Sequence, residues 1–262
     1  MLSFDLHVPS ASWLHGLDPR VKLLFVAEMT ILLLALPGLP FVLTVLVACH
    51  LLLVSARIPW PRIAAIWRLM LPLTLLVPLL WLPLMPQGEP VLLELWRLRV
   101  TLPALLRGLF MAARLDALAF VFFVWLLTTE QRAIVQAFVR LGLPYEWGLT
   151  LSLALRYLPT LHAIYLQIVD AQRARGLDLN AGSLFARARN RLPILVALLV
   201  TALRSSENVG RALEARALGL TGVPRTSLHD LHLRRGDVLC LAALLALLLV
   251  GFMIFVLTSL GN

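Results

Sequence analysis

The chain has 262 residues, 60% hydrophobic and only 14% charged, with a formal net charge of +9. Soluble domains average about a quarter charged residues, so composition excludes a soluble globular protein and points to an integral membrane protein. Lys22 is the single lysine and no Gly-x-x-x-x-Gly-Lys-Ser/Thr occurs, which excludes an ATPase that cradles phosphate in that loop. In so apolar a chain the first use of arginine is to set orientation and touch anionic lipid, so nucleic-acid binding is not expected. Cys49 and Cys240 both lie in apolar runs, giving neither a disulfide framework nor a Cys-x-x-Cys metal site.

In chain order, MLSFDLHVPSASWLHGLDPRVK lacks a basic segment followed by a short apolar core and cleavage site, and is not expected to be a signal peptide. A spanning helix needs about 20 mostly apolar residues. Candidate segments are 21–36, 39–56, 68–85, 104–128 and 238–259. The third carries Pro72, Pro78 and Pro83 and is expected to kink, with neighbouring helices meeting the freed carbonyls. Trp13, Trp60, Trp81 and Trp96 fall near segment ends, as interfacial belt residues do.

Two further runs tempt a spanning assignment. Residues 149–169 are long enough but contain Arg156, His162 and Gln167, and 192–203 is too short. Arginine placement decides. With five spans and a cytoplasmic N-terminus, Arg20, Lys22, Arg57, Arg62, Arg68 and fourteen arginines between 129 and 236 fall inside. Only Arg97, Arg99 and Arg107 fall outside, and Arg114 lies within the fourth segment. Letting 149–169 span would throw the arginine-rich 170–236 outside and destroy this bias. The reading is therefore four spans in 1–128, a cytoplasmic helical block at 129–236, and a last span in 237–262. Helical phase agrees: Ser152, Arg156, Thr160, Gln167 and Asp170 share one face, while Leu151, Leu155, Leu158, Leu161, Ile164, Tyr165 and Ile168 fill the other. That is an amphipathic helix for an interface.

The block holds two long helices, roughly 149–175 and 192–218, each about 40 Å long at ~1.5 Å per residue. Pro193 suits a first turn and Gly219 the position after a last one, whereas Pro159 should bend the first helix. Their ends share the frame Ala-x-x-Ala-Arg: Ala171, Ala174, Arg175 in DAQRARGLDLN, and Ala212, Ala215, Arg216 in ALEARALGL. Arginine in a last turn complements the helix dipole and glycine closes the helix, so either end alone reads as a cap. The frame occurring twice in one block points further. Small residues allow close approach, and arginine forks onto a carboxylate. Such an end suits an acidic-lipped groove.

These ends resemble the paired helix-terminal Ala-Arg-Gly motifs of the transmembrane T components of energy-coupling-factor (ECF) transporters, the vitamin- and metal-uptake branch of the ABC systems. LDPRVKLL at 17–24, TTEQRAIVQAFVRLGLP at 128–144 and RYLPTLHAIYLQIVDAQRARG at 156–176 agree in order, and the resemblance runs from about residue 13 to the last span. One departure is that the second motif reads Ala215-Arg216-Ala217, its glycine displaced to Gly219. The resemblance implies an all-α polytopic membrane scaffold of about five spans, without enzymatic activity, in the cell (inner) membrane of a prokaryote. It implies two ABC-type ATPase partners contacted through Ala174, Arg175, Gly176, Ala215, Arg216 and Ala217, and a separate substrate-binding membrane S component. ATP and Mg would belong to the partners, with no cofactor on this chain.

His229 and His232 in TSLHDLHLRRGD are only two histidines on a loop, and read as solvated rather than as metal ligands. Arg114 and Asp116 are ionisable groups inside a predicted span, a functional hint by default. Two apart, they do not face one another on a helix. They either mark the aqueous end of that span or pair with Glu28 or another helix. Glu207 and Glu214 among Arg204 and Arg211 are ordinary helix pairs. Two competing classes remain at this level: a self-sufficient carrier using Arg114 and Asp116, and a membrane enzyme whose arginines grip lipid-linked phosphate.

Overall fold

The structure, a computed structural model, describes residues 8–10, 12–36, 38–84, 91–95, 98–179, 181–218 and 234–260. In order the elements are α1 (Pro19–Ala35), α2 (Leu39–Ser55), α3 (Trp60–Leu84), β1 (Val91–Leu95), β2 (Leu98–Thr101), α4 (Leu102–Thr128), α5 (Gln131–Arg140), α6 (Tyr145–Ala174), α7 (Leu184–Asn190), α8 (Leu192–Glu214) and α9 (Arg235–Leu260). Proline opens α1, α2, α4 and α8 within their first two positions, where the missing N–H costs nothing. Among the described residues, the one departure from helix is the small antiparallel β1–β2 hairpin, paired from Val91↔Thr101 to Leu95↔Leu98. Local pairing satisfies the backbone donors and acceptors of the strands themselves.

The chain divides into two compact units, Met1–Leu143 with Leu231–Asn262, and Pro144–Asp230. In the first, α1, α2 and α4 build the core from Val26, Leu33, Val42, Leu53, Phe120 and Val121 among others. α5 packs against α1 and belongs with this unit. α3 packs along α4, where a Cβ at Gly108 would stand 2.7 Å from the Pro78 Cα. α9 packs on α1, where a Cβ at Gly251 would strike Leu32. α3 starts at Trp60, not 68, because α2 ends in a turn with Arg57 at φ 57° and the next helix begins directly after it. The helix runs on through Pro72 and Pro78.

Four stretches are long and apolar enough to cross a membrane: Trp60–Leu82, Leu102–Thr128, Phe185–Glu214 and Arg235–Ile254; Leu39–Ser55 is a shorter apolar helix. The protein is thus a multi-pass membrane protein of helices. The expected segment 21–36 corresponds to α1, a 17-residue helix with Lys22 and Glu28 buried. Phe185–Glu214 meets the length requirement where the bare apolar run 192–203 does not, because helix continues past Arg204 into a polar half.

In the second unit α6 packs on α8 and α7 on α8. α6 continues through Pro159 as one 30-residue helix, about 45 Å at ~1.5 Å per residue. Val169 and Ile194 are buried, while Leu192, Leu195, Val196, Leu199 and Leu203 leave an apolar stripe of α8 exposed.

The close approaches are testable. Gly108→Val drives a side chain into the Pro78 backbone and should cost about 1–3 kcal/mol, typical of overpacking. Gly210→Ala, on a helix with nothing within 4 Å of the new Cβ, should instead stabilise by up to about 1 kcal/mol. Thermal unfolding of the purified chain in detergent distinguishes the two signs.

Candidate functional site

The two arginine-bearing helix ends close in the same way. At the end of α6, Leu177 N donates to Gln172 O at 3.1 Å and Gly176 N to Arg173 O at 2.9 Å. Gly176 sits in the left-handed region at φ 86°. This paired return is the Schellman ending, and it puts Arg175 at the last turn immediately before the reversal. At the end of α8, Leu218 N donates to Leu213 O at 3.0 Å and Ala217 N to Glu214 O at 2.9 Å. Ala217 takes the left-handed position at φ 60°. Arg216 therefore occupies the place of Arg175, residue for residue.

This geometry corrects the expectation that Gly219 ends the second helix. The reversal comes two residues earlier, on an alanine, and Gly219 lies outside the described residues. A left-handed alanine costs roughly 1–2 kcal/mol relative to glycine. The cost is met because the ending also satisfies carbonyls that would otherwise be orphaned.

A third ending separates capping from arginine chemistry. α5 closes by the same bonds, Leu143 N to Phe138 O at 3.0 Å and Gly142 N to Val139 O at 3.2 Å, with Gly142 at φ 115°. There the residue before the reversal is Leu141. The fold thus needs a left-handed residue to stop these helices and does not need arginine.

Ala174, Arg175, Gly176, Ala215, Arg216 and Ala217 are all exposed. Neither Arg175 nor Arg216 makes a side-chain hydrogen bond or ion pair among the described residues, whereas nearby Arg173 lies 3.9 Å from Asp170. Because α6 and α8 pack on each other, one compact unit presents both free guanidinium groups.

The ionisable residues of the membrane helices behave otherwise. Arg114 donates from Nε and a terminal nitrogen to the carbonyls of Leu33 and Leu34 at the end of α1, with its guanidinium 5.7 Å from the Phe110 ring centre. Asp116 is buried and accepts from the Thr74 hydroxyl of α3, 2.9 Å from each carboxylate oxygen. Of the two readings open at the sequence level, pairing with other helices is the one realised. The two residues face separate partners and form no common site. Glu28 is buried with Oε1 unpartnered and does not bond to Arg114. No cluster of three or more metal-ligating side chains occurs among the described residues, and His229 and His232 lie outside them.

Two polar constellations escaped the sequence reading. His50 bonds Leu46 O through Nδ1 at 2.8 Å and accepts from Trp67 Nε1 at 3.0 Å, its ring 4.4 Å from that of Phe120. The acceptor role fixes the Nδ1-protonated tautomer. In the other, Asp18, Lys22 and Asp237 meet across the starts of α1 and α9. Asp-Pro ahead of an apolar helix is a readable cap signal, but its partner lies 219 residues away.

The model of the family described as cobalt transport protein, CbiQ, matches residues 10–227. Curated proteins named energy-coupling factor transporter transmembrane protein EcfT align along nearly the whole chain. That of Thermosediminibacter oceani is 31% identical over 264 residues, covering 95% of this chain and 96% of its own. Those of Listeria innocua and Staphylococcus aureus are 31% and 28% identical, each covering 92% or more of both chains. The chain belongs to this family. It is a transmembrane component of an ECF transporter, and the two tips are the ends of its α6 and α8.

Because Ala217 holds a left-handed conformation without being glycine, Ala217→Gly should stabilise the α8 ending by about 1 kcal/mol and Gly176→Ala should weaken the α6 ending by a similar amount. Hydrogen exchange at the amides of residues 217–218 and 176–177 reads both effects, as roughly fivefold slower and faster exchange.

Proposed function

We propose that this ECF transmembrane component is a non-enzymatic coupling scaffold, with Arg175 and Arg216 each seated in an acidic-lipped groove of one partner ATPase. The observation that carries the reading is the pair of matching helix endings, each holding an unpaired, exposed arginine beside small residues. Ala174 with Gly176, and Ala215 with Ala217, leave room for a groove wall to close on the backbone. The guanidinium then finds a carboxylate in a desolvated setting, where losing one partner of a hydrogen-bonded charge pair costs about 2–5 kcal/mol. ATP and Mg belong to the two ATPase subunits.

Arginine distribution supports a cytoplasmic N-terminus and a cytoplasmic block at 129–236, in the inner membrane of a prokaryote. The stretch Phe185–Glu214 is apolar enough to span, but Arg187, Arg189, Arg191, Arg204 and Arg211 lie along it. On the inner side these charges obey the same bias, and the exposed stripe of α8 lies along a partner or the interface. A separate membrane S component would bind the vitamin or metal ion, and nucleotide-driven displacement of α6 and α8 would reorient it to release cargo.

Arg175→Glu combined with Arg216→Glu should leave the chain in the membrane, abolish uptake and uncouple ATP hydrolysis. Each single change should be partial, since one tip remains seated. Uptake at the wild-type rate in the double variant, measured in cells carrying the complete transporter, would overturn the assignment.

A further inference from the structure

Two cavities adjoin at the end of the first unit where α1 and α9 begin and α4 stops. One is polar, about 570 Å³, with Ser10, His15, Lys22, Thr129 and Glu130 in its wall. The other is apolar, about 330 Å³, and is lined by side chains such as Phe25, Leu52, Val124 and Leu247. Leu17, Lys22 and Thr128 line both, so the two are neighbours across a shared wall, and neither is sealed from the surface. Each falls in the range of about 300–1,000 Å³ usual for small-molecule sites. Every lining residue belongs to the first unit.

These walls carry donors that the protein leaves unused. An ammonium group has three N–H donors. Lys22 gives one to Thr128 O at 2.8 Å and another reaches His15 O at 3.4 Å, and the third has no partner among the described residues. The nearby carboxylates serve helix starts instead: Asp18 Oδ1 accepts from Arg20 N at 2.9 Å, and Asp237 accepts from Asp18 N at 2.8 Å and Arg234 N at 2.7 Å. Thr129, in the polar wall, is buried with its hydroxyl unpartnered. The Trp125 indole N–H, in the apolar wall, likewise lacks an acceptor. Buried donors left unpaired are costly, so the missing group is one rich in acceptors. Charge narrows it further. Asp18 and Asp237 offset Lys22 and Arg20, whose Nε lies 3.9 Å from Asp18, so the cluster offers no surplus cation to an anionic ligand. Glu130 adds a carboxylate at the polar cavity, its side chain 56% exposed and 3.9 Å from Arg132 Nε. A ligand carrying both signs fits this arrangement. Depth points the same way: Trp13, half exposed in the apolar wall, is the kind of residue that marks the boundary between head groups and chains.

We propose that the adjoining cavities hold one zwitterionic phospholipid with an amine head group, a phosphatidylethanolamine. Its phosphate accepts from Lys22 and Thr129, its ammonium faces Glu130, and an ester carbonyl meets the Trp125 N–H. One acyl chain fills the apolar cavity. A charge-assisted bond from an ammonium to a phosphate is among the stronger hydrogen bonds, and the apolar cavity restricts binding to molecules that bring a chain.

Cys240 lines the apolar cavity and reports its occupancy without any substitution, because Cys49, the other cysteine, is 1% exposed. The full chain is placed in nanodiscs of phosphatidylglycerol, with or without a minor fraction of phosphatidylethanolamine, and alkylation by N-ethylmaleimide is followed. Phosphatidylethanolamine should slow Cys240 alkylation at least fivefold. Glycerophosphoethanolamine, which has the head group and no chains, should not. Glu130→Gln, a change at an exposed side chain, should erase the difference between the two lipids, and Lys22→Met should erase the protection. Native mass spectrometry after detergent exchange gives a second readout. The wild-type chain should retain one phosphatidylethanolamine, and Ala243→Phe, which fills the apolar cavity, should lose it. Leu239→Phe, exposed on the same helix and outside the cavity wall, should keep it. Equal alkylation rates in the two lipid mixtures overturn the proposal. So does stronger protection by phosphatidylglycerol, equal protection by the chainless head group, or an unaltered preference in Glu130→Gln.

Discussion

Backbone groups at helix ends cannot be left bare in or near a bilayer, and that constraint organises this protein. Every helix end hydrogen-bonds four fewer donors or acceptors than its interior. Where water is scarce, side chains or chain reversals must take them up. α1 shows the first solution at both ends: its N-terminal turn is served by Asp18 and Asp237, its last carbonyls by Arg114 from α4. The intramembrane arginine that looked like a transport residue is spent on this. Asp116 is spent on Thr74 of α3.

The tips of α6 and α8 show the second solution. There the chain reverses on a left-handed residue and satisfies its own carbonyls. The arginine before the reversal is then left with no structural duty. Leu141 in the same position of α5 makes the point directly, since the fold accepts leucine there. A long cationic side chain kept exposed at two equivalent places, beside alanine and glycine, is spare binding capacity. The proposed function gives that capacity a partner, a nucleotide-driven subunit outside this chain.

The sequence by itself determined the membrane class, the long helices, the repeated arginine frame and the family. These follow from composition, hydrophobic period and local motif, all of which are local or additive along the chain. Tertiary structure decided what depends on distant or conformational partners. The reversal at Ala217 rather than Gly219 is a choice of backbone dihedral that no residue count reveals. The separate fates of Arg114 and Asp116 depend on which helix each faces. The β1–β2 hairpin is a pairing of two short strands lying in sequence between two long apolar helices. The union of Asp18 with Asp237 joins residues at opposite ends of the chain, and only folding brings a carboxylate from one to the bare N–H of the other.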